Sequence, residues 1–244
     1  MNAARTLAPD CPADWPEPGP IDLAVHDLPH RSSTTEWWYL NTHFEAADGR
    51  PFSLFASFFR VLKGRDEASG QLAYAHSLTW ALTDVTTGGY YGESRVDADA
   101  PSMGLEKLER GEGTSDPRIR RAAREVLLKG RVPYPDQMFT GEVFVGKRRL
   151  DLDFDGQTLT RLDDGAYKLT LFHDHFKVGC DLVFQPQMAP VRHGRDGVVQ
   201  GTMGEDMFYY FIPRCDVSGT VTVEGGNLPV AGQGWYDHEF GRHG

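Results

Sequence analysis

Glu36-Trp37-Trp38-Tyr39-Leu40-Asn41-Thr42-His43-Phe44, then Ala47-Asp48-Gly49-Arg50, then Phe52-Ser53-Leu54-Phe55-Ala56-Ser57-Phe58-Phe59: this run decides the fold. Aromatic and β-branched side chains suit a pleated, half-buried ribbon, and an Asp-Gly turn between two such segments makes a hairpin. Side chains alternate across a strand, so Glu36 and Trp38 share one face while Trp37 and Tyr39 share the other. The sequence does not say which face is inside.

Outward from the hairpin the same pattern repeats. Leu72, Tyr74, His76, Leu78, Trp80 and Leu82 fall at period two, as one face of a strand requires. Leu150, Leu152 and Phe154 alternate with Asp151, Asp153 and Asp155, a ribbon with one wet face. Tyr167, Leu169, Leu171, His173 and His175 continue the series on one face, and segments 180–184, 207–212 and 220–224 complete it. The stretch 116–130 reads as the one good helix, with Pro117 in its first turn, Ile119, Ala122, Ala123, Val126 and Leu127 at helical spacing, and Gly130 as its stop. Many short strands and one short helix imply an all-β antiparallel barrel or sandwich. A barrel is favoured because closure removes edge strands. Residues 1–30 carry many prolines and read as an extended arm on the surface.

The 244 residues suffice for a substantial core, and 40% hydrophobic with 11% aromatic residues is a globular composition. The net charge of −10 argues against a nucleic-acid partner and against an anionic membrane surface. Cys11, Cys180 and Cys215 are too few for a disulfide framework and read as reduced thiols in a cytoplasmic protein. No apolar run approaches the roughly 20 residues of a membrane-spanning helix, so no integral membrane segment is expected. The glycines between 197 and 204 precede no helix, so no phosphate loop is read there.

The densest set of reactive side chains is Trp235-Tyr236-Asp237-His238-Glu239, with Gly232, Gly234 and Gly241 around it. A carboxyl group among aromatic rings is desolvated, which keeps it protonated near neutral pH and makes it a general acid. Neighbouring π-faces stabilise a cation. The plainer reading is a turn with aromatics packed in a core. In an extended run Asp237 and Glu239 share one face and His238 takes the other, and the sequence does not choose between the two carboxyls as the acid. The second cluster, His30 to Tyr39, sets Glu36 among Trp37, Trp38 and Tyr39, the few fixed polar groups that an apolar pocket uses. His76 on an apolar strand face is more simply a satisfied core residue. His173-x-His175 has a metal-ligand spacing, with His238 or Asp237 as a third donor, but no second motif supports it and no metal is expected.

Taken together, Glu36-Trp37-Trp38-Tyr39, Gly49-x-x-Phe52 and Gly232-x-Gly234-Trp235-x-Asp237-His238-Glu239-Phe240-Gly241 resemble the carotenoid 1,2-hydratase (hydroxyneurosporene synthase) family and its lipocalin-like, AttH-type relatives. Tyr209-Tyr210, Pro213-Arg214, Gly219 and Val221 fall where such proteins have a strand, a turn and a strand. The resemblance implies a lipocalin-like β-barrel, usually one of two in tandem with a ligand pocket near their junction. The expected organisation is an arm over 1–30, a barrel over 31–225, and a motif-bearing linker over 226–244 leading to a second barrel beyond Gly244.

The activity this implies is acid-catalysed hydration of an isolated C=C in a hydrophobic polyene or terpenoid-like molecule, with no cofactor. Asp237, His238, Tyr236 and Glu36 are the candidate catalytic residues. Trp235, Trp37, Trp38, Tyr39, His76, Trp80, His173 and His175 are the candidate substrate-binding ones. Two other classes stay open: a pericyclic (Diels–Alder-type) cyclase of secondary metabolism, which gains its rate by folding a flexible polyene, and a non-catalytic binder of hydrophobic ligands.

Overall fold

The computed structural model describes residues 11–65, 70–200 and 206–242. The first ten residues of the arm and positions 201–204 of the glycine-rich stretch lie outside them. In chain order the elements are α1 (Leu23–His26), β1 (Thr35–Ala46), β2 (Pro51–Arg65), β3 (Leu72–Asp84), β4 (Gly89–Val96), α2 (Ala100–Glu109) and α3 (Pro117–Leu127). They continue with β5 (Asp136–Met138), β6 (Val143–Val145), β7 (Asp151–Phe154), β8 (Gln157–Arg161), β9 (Tyr167–His173) and β10 (Val178–Pro186). The last are β11 (Val191–Arg192), β12 (Val198–Gln200), β13 (Asp206–Val223) and β14 (Gly226–Gly241).

The strands form one sheet in the order β5-β4-β3-β2-β1-β14-β13-β10-β9-β8-β7-β6, with β11 and β12 also on β13. Its two end strands, β5 and β6, are consecutive in the chain, so residues 139–142 bring the edges of the path together. Phe139 packs on Phe154 at 6.0 Å between ring centroids, and Phe58 on Phe154 at 5.2 Å. Arg95 of β4 reaches Asp155 at 3.1 Å. The sheet therefore curls onto its own inner face, and an all-β, lipocalin-like barrel results.

Local chemistry sets the strand ends. The β13–β14 hairpin turns through Glu224 (φ 53°) and Gly225 (φ 77°), the pair of positive φ values that matches strand twist in a two-residue loop. Segments 207–212 and 220–223 are not separate strands, and Glu224 belongs to the turn. They are parts of β13, which shifts register between Ile212 and Cys215, where Pro213 has no N–H for the ladder. Residues 226–241, the motif-bearing stretch, form β14 at the centre of the sheet, antiparallel to both β1 and β13.

Among the described residues three helices stand where a single one was expected. α3 lies within the expected span, started by the Asp116 side chain accepting from Arg118 N at 2.8 Å. α2 carries a weaker apolar pattern and escapes periodicity; α1 is a single turn. The N-terminal arm differs more. Trp15, Ile21, Asp27 and His30 are buried, Trp15 standing edge-on to Phe208 and Phe240. Prolines fix φ but do not keep intervening apolar side chains in water.

Candidate functional site

β1, β14 and β13 lie side by side, and their alternation sorts the reactive residues onto two faces. Opposite Glu36 of β1 stands Phe240, opposite Trp38 stands His238, and opposite Leu40 stands Tyr236. These side chains point inward and are fully buried.

Glu36 is the hub of the inner face. It accepts from His30 Nδ1 at 2.8 Å, His238 Nε2 at 2.9 Å and Arg60 Nε at 2.7 Å, and from the His30 peptide N–H. Burial pushes this carboxyl up, but Arg60, His238 and His30 outweigh it and hold it at about 2. Burial lowers His238 despite Glu36 beside it. On its other edge His238 Nδ1 meets Tyr210 Oη at 3.1 Å. Tyr210, Tyr236 and Tyr167 donate to the Asp27 carboxylate at 2.5, 2.8 and 2.6 Å, and burial with that carboxylate raises all three phenols. Trp38 Nε1 donates to the Asp27 carbonyl at 3.1 Å. The single Tyr210 phenol proton faces both the Asp27 carboxylate and His238 Nδ1 and serves one of them at a time.

His30, Glu36 and His238 present three donor atoms within 4.8 Å of one another, a two-imidazole, one-carboxylate set of the kind that holds metals. Here the Arg60 guanidinium sits against the same carboxylate and opposes a further cation, so the set reads as a hydrogen-bonded charge cluster. The inner face is filled by side chains, and this network ties the arm (Asp27, His30) to the barrel wall.

The outer face is different. Glu239 lies between Tyr209 and Trp37 in the strand register, and Asp237 lies between Phe211 and Tyr39. Trp37 stacks on Phe59 at 4.9 Å with an interplanar angle of 4°. Asp237 accepts from Tyr209 Oη at 3.0 Å and Trp235 Nε1 at 3.1 Å. Burial raises both carboxyls. Asp237 is restrained by those two hydrogen bonds, whereas Glu239 is pushed to about 7 by burial and then by the Asp237 charge. Two half-buried carboxyls in an aromatic frame, one protonated more readily than the other, are equipped to give and take a proton.

The predicted residues thus separate. Glu36, Trp38, Tyr236 and His238 meet inside; Trp37, Tyr39, Trp235 and Asp237 meet outside. Trp80 is an inner-face residue whose Nε1 donates to Glu93 at 3.0 Å. His76 lies apart beside Asp97 at 3.3 Å. His173 ends β9 and is buried, but the chain turns after it and His175 is exposed, so the two do not share a strand face. Sequence reading passed over Asp27, Arg60, Tyr167 and Tyr210. Arg60, a lone charge in phase with Phe52, Leu54, Ala56 and Phe58, carried a readable signal; Asp27 carried none.

A curled antiparallel sheet around one packed inner face defines a lipocalin-like β protein. Residues 134–244 match the AttH-like family model. It is similar in structure to a candidate AttH of Nitrosomonas europaea (TM-score 0.63, 18% identity, covering 96% of this chain and 58% of that one). Kievitone hydratase of Nectria haematococca is also similar (TM-score 0.56, 14% identity, 92% of this chain and 52% of that one). The chain thus spans a little over half the length of these structures. No curated protein matches it by sequence.

Proposed function

We propose that this chain carries the acid–base pair of a hydratase acting on an isolated alkene in a hydrophobic, polyene- or terpenoid-like molecule. The observation that carries the reading is the Asp237–Glu239 pair on the aromatic outer face. Glu239, with its pKa near 7 and no competing donor, gives its proton to the less substituted alkene carbon. The tertiary cation left behind faces Trp37 and Trp235. Water adds to it, Asp237 takes the proton that water releases and passes it through solvent to Glu239, so both carboxyls regain their starting states and the net change is addition of one water. Cation–π contacts contribute about 0.5–2 kcal/mol each, so the acid supplies most of the effect.

The inner cluster of Glu36, His238, Tyr236 and Trp38 then fixes β1 against β14 and holds the outer pair in place. His238, a candidate catalytic residue from the sequence, becomes a positioning residue in this reading, because it and Asp237 point to opposite faces of β14. A dry reaction needs a cover over the outer face; a second lipocalin-like domain is our proposal for it, supported by the length of the matched structures. The similarity to a hydratase and the sequence resemblance to carotenoid hydratases support the reaction class, and we place the protein in the cytoplasm on the buried thiols of Cys180 and Cys215.

The test is turnover of an acyclic isoprenoid alkene in D2O. Deuterium at the protonated carbon is expected. Turnover without label overturns hydration in favour of a cyclisation, and tight binding without product leaves a carrier.

A further inference from the structure

The net charge of −10 hides a segregation. Residues 118–134 carry Arg118, Arg120, Arg121, Arg124, Lys129 and Arg131 against a single acid, Glu125. This segment is α3 and the chain just beyond it. Its cations do not serve one purpose. Arg120 folds back onto the carbonyls of Leu108, Glu112 and Thr114 and joins α3 to α2. Arg118 pairs with Asp116 at 3.0 Å and Arg121 with Glu125 at 3.3 Å, both arginines largely in solvent. Arg124, Lys129 and Arg131 have no carboxylate partner among the described residues and are exposed.

Apolar side chains stand among these cations. Ile119 is 56% exposed, Leu128 58% and Tyr134 94%. The inner edge of α3, Ala123 and Leu127, faces the cleft shared with Gly104 and Leu108 of α2. At 100° per residue Leu128 stands between Arg121 and Arg124 on one side of α3, and Ile119 stands on the opposite side with Ala122 between it and Arg118. Exposed apolar side chains set between exposed cations suit an interface: Leu128, Ile119 and Tyr134 enter the acyl boundary and the neighbouring cations reach the headgroups.

We propose that α3 and the segment through Tyr134 dock this protein on an anionic lipid surface. Charge complementarity selects that occupant. A zwitterionic surface leaves the unpaired cations without partners, and a nucleic-acid groove gives no place to Ile119, Leu128 and Tyr134. Each Lys or Arg near an anionic leaflet is worth about fivefold in partitioning, so a few suffice for reversible binding. The proposal does not depend on the reading of Asp237 and Glu239.

The experiment is flotation of the full chain with phosphatidylcholine vesicles, with and without phosphatidylserine, at low and high salt. Binding only to the phosphatidylserine vesicles, weakened by salt, is expected. The triple variant Arg124→Glu, Lys129→Glu, Arg131→Glu should lose at least about tenfold of it, and Ile119→Ser with Leu128→Ser should weaken it with the charge intact. Both variants should keep the parent melting temperature, since these side chains bury little. Equal binding to both vesicle types, capture of duplex DNA but not vesicles, or no binding at all overturns the proposal.

Discussion

Glu239 and Asp237 sit two positions apart on one strand, close enough for one charge to oppose the other, and only Asp237 has side-chain donors holding it. Glu239→Gln should therefore cut turnover by about 10²-fold or more with little change in melting temperature. Asp237→Asn should also slow turnover; a rate within a few-fold of the parent removes Asp237 from the mechanism. On the inner face Glu36→Gln leaves Arg60 buried without its counter-charge. Breaking a buried pair this way costs about 3–5 kcal/mol, to be read as a lower denaturant midpoint at unchanged m-value. The types of these residues were legible in the sequence, and so was the opposition of Asp237 to His238 in an extended run. Their partners were not, because Arg60 lies 24 positions from Glu36, Tyr210 lies 28 from His238 and Asp27 lies 209 from Tyr236, and no local pattern links them.

β14 is held on both sides, and its glycines are where neighbouring backbone comes closest. A Cβ on Gly232 would collide with the His43 carbonyl and lie 2.5 Å from Phe44 Cα, whereas one on Gly226 finds its nearest atom at 3.6 Å. Gly232→Ala should destabilise by about 1–3 kcal/mol, as forced overpacking does, and Gly226→Ala should be close to neutral; thermal melts of the two variants check this. The strands around the opening hairpin were readable because alternation is strong where one face is buried. α2 was not, its apolar positions being sparse and its packing set by α3. His175 was assigned to a strand because period two runs on through a turn that only the backbone path reveals.

Across the whole molecule the ionisable groups set a pH window. Glu36 has a folded value near 2 against 4.5 unfolded, so its contribution is complete above 4.5 and is lost as pH falls toward 2. Glu239 is raised to about 7, so stability is greatest below 4.5 on its account and declines as pH rises through 7. Denaturant midpoints across pH should therefore fall on both sides of a mildly acidic optimum, and Glu239→Gln should flatten the alkaline limb. The arm contributes at the same scale, since Asp27 and His30 complete the inner network. The sequence by itself determined the all-β class, the opening hairpin and the aromatic–carboxyl composition of the site, since alternation, turn chemistry and residue type are local properties. Only the tertiary structure decided that β14 lies between β1 and β13, that the arm fills the core, and that the reactive cluster divides between two faces. Those outcomes depend on which distant strands pair, and a strand's own residues do not encode its neighbour.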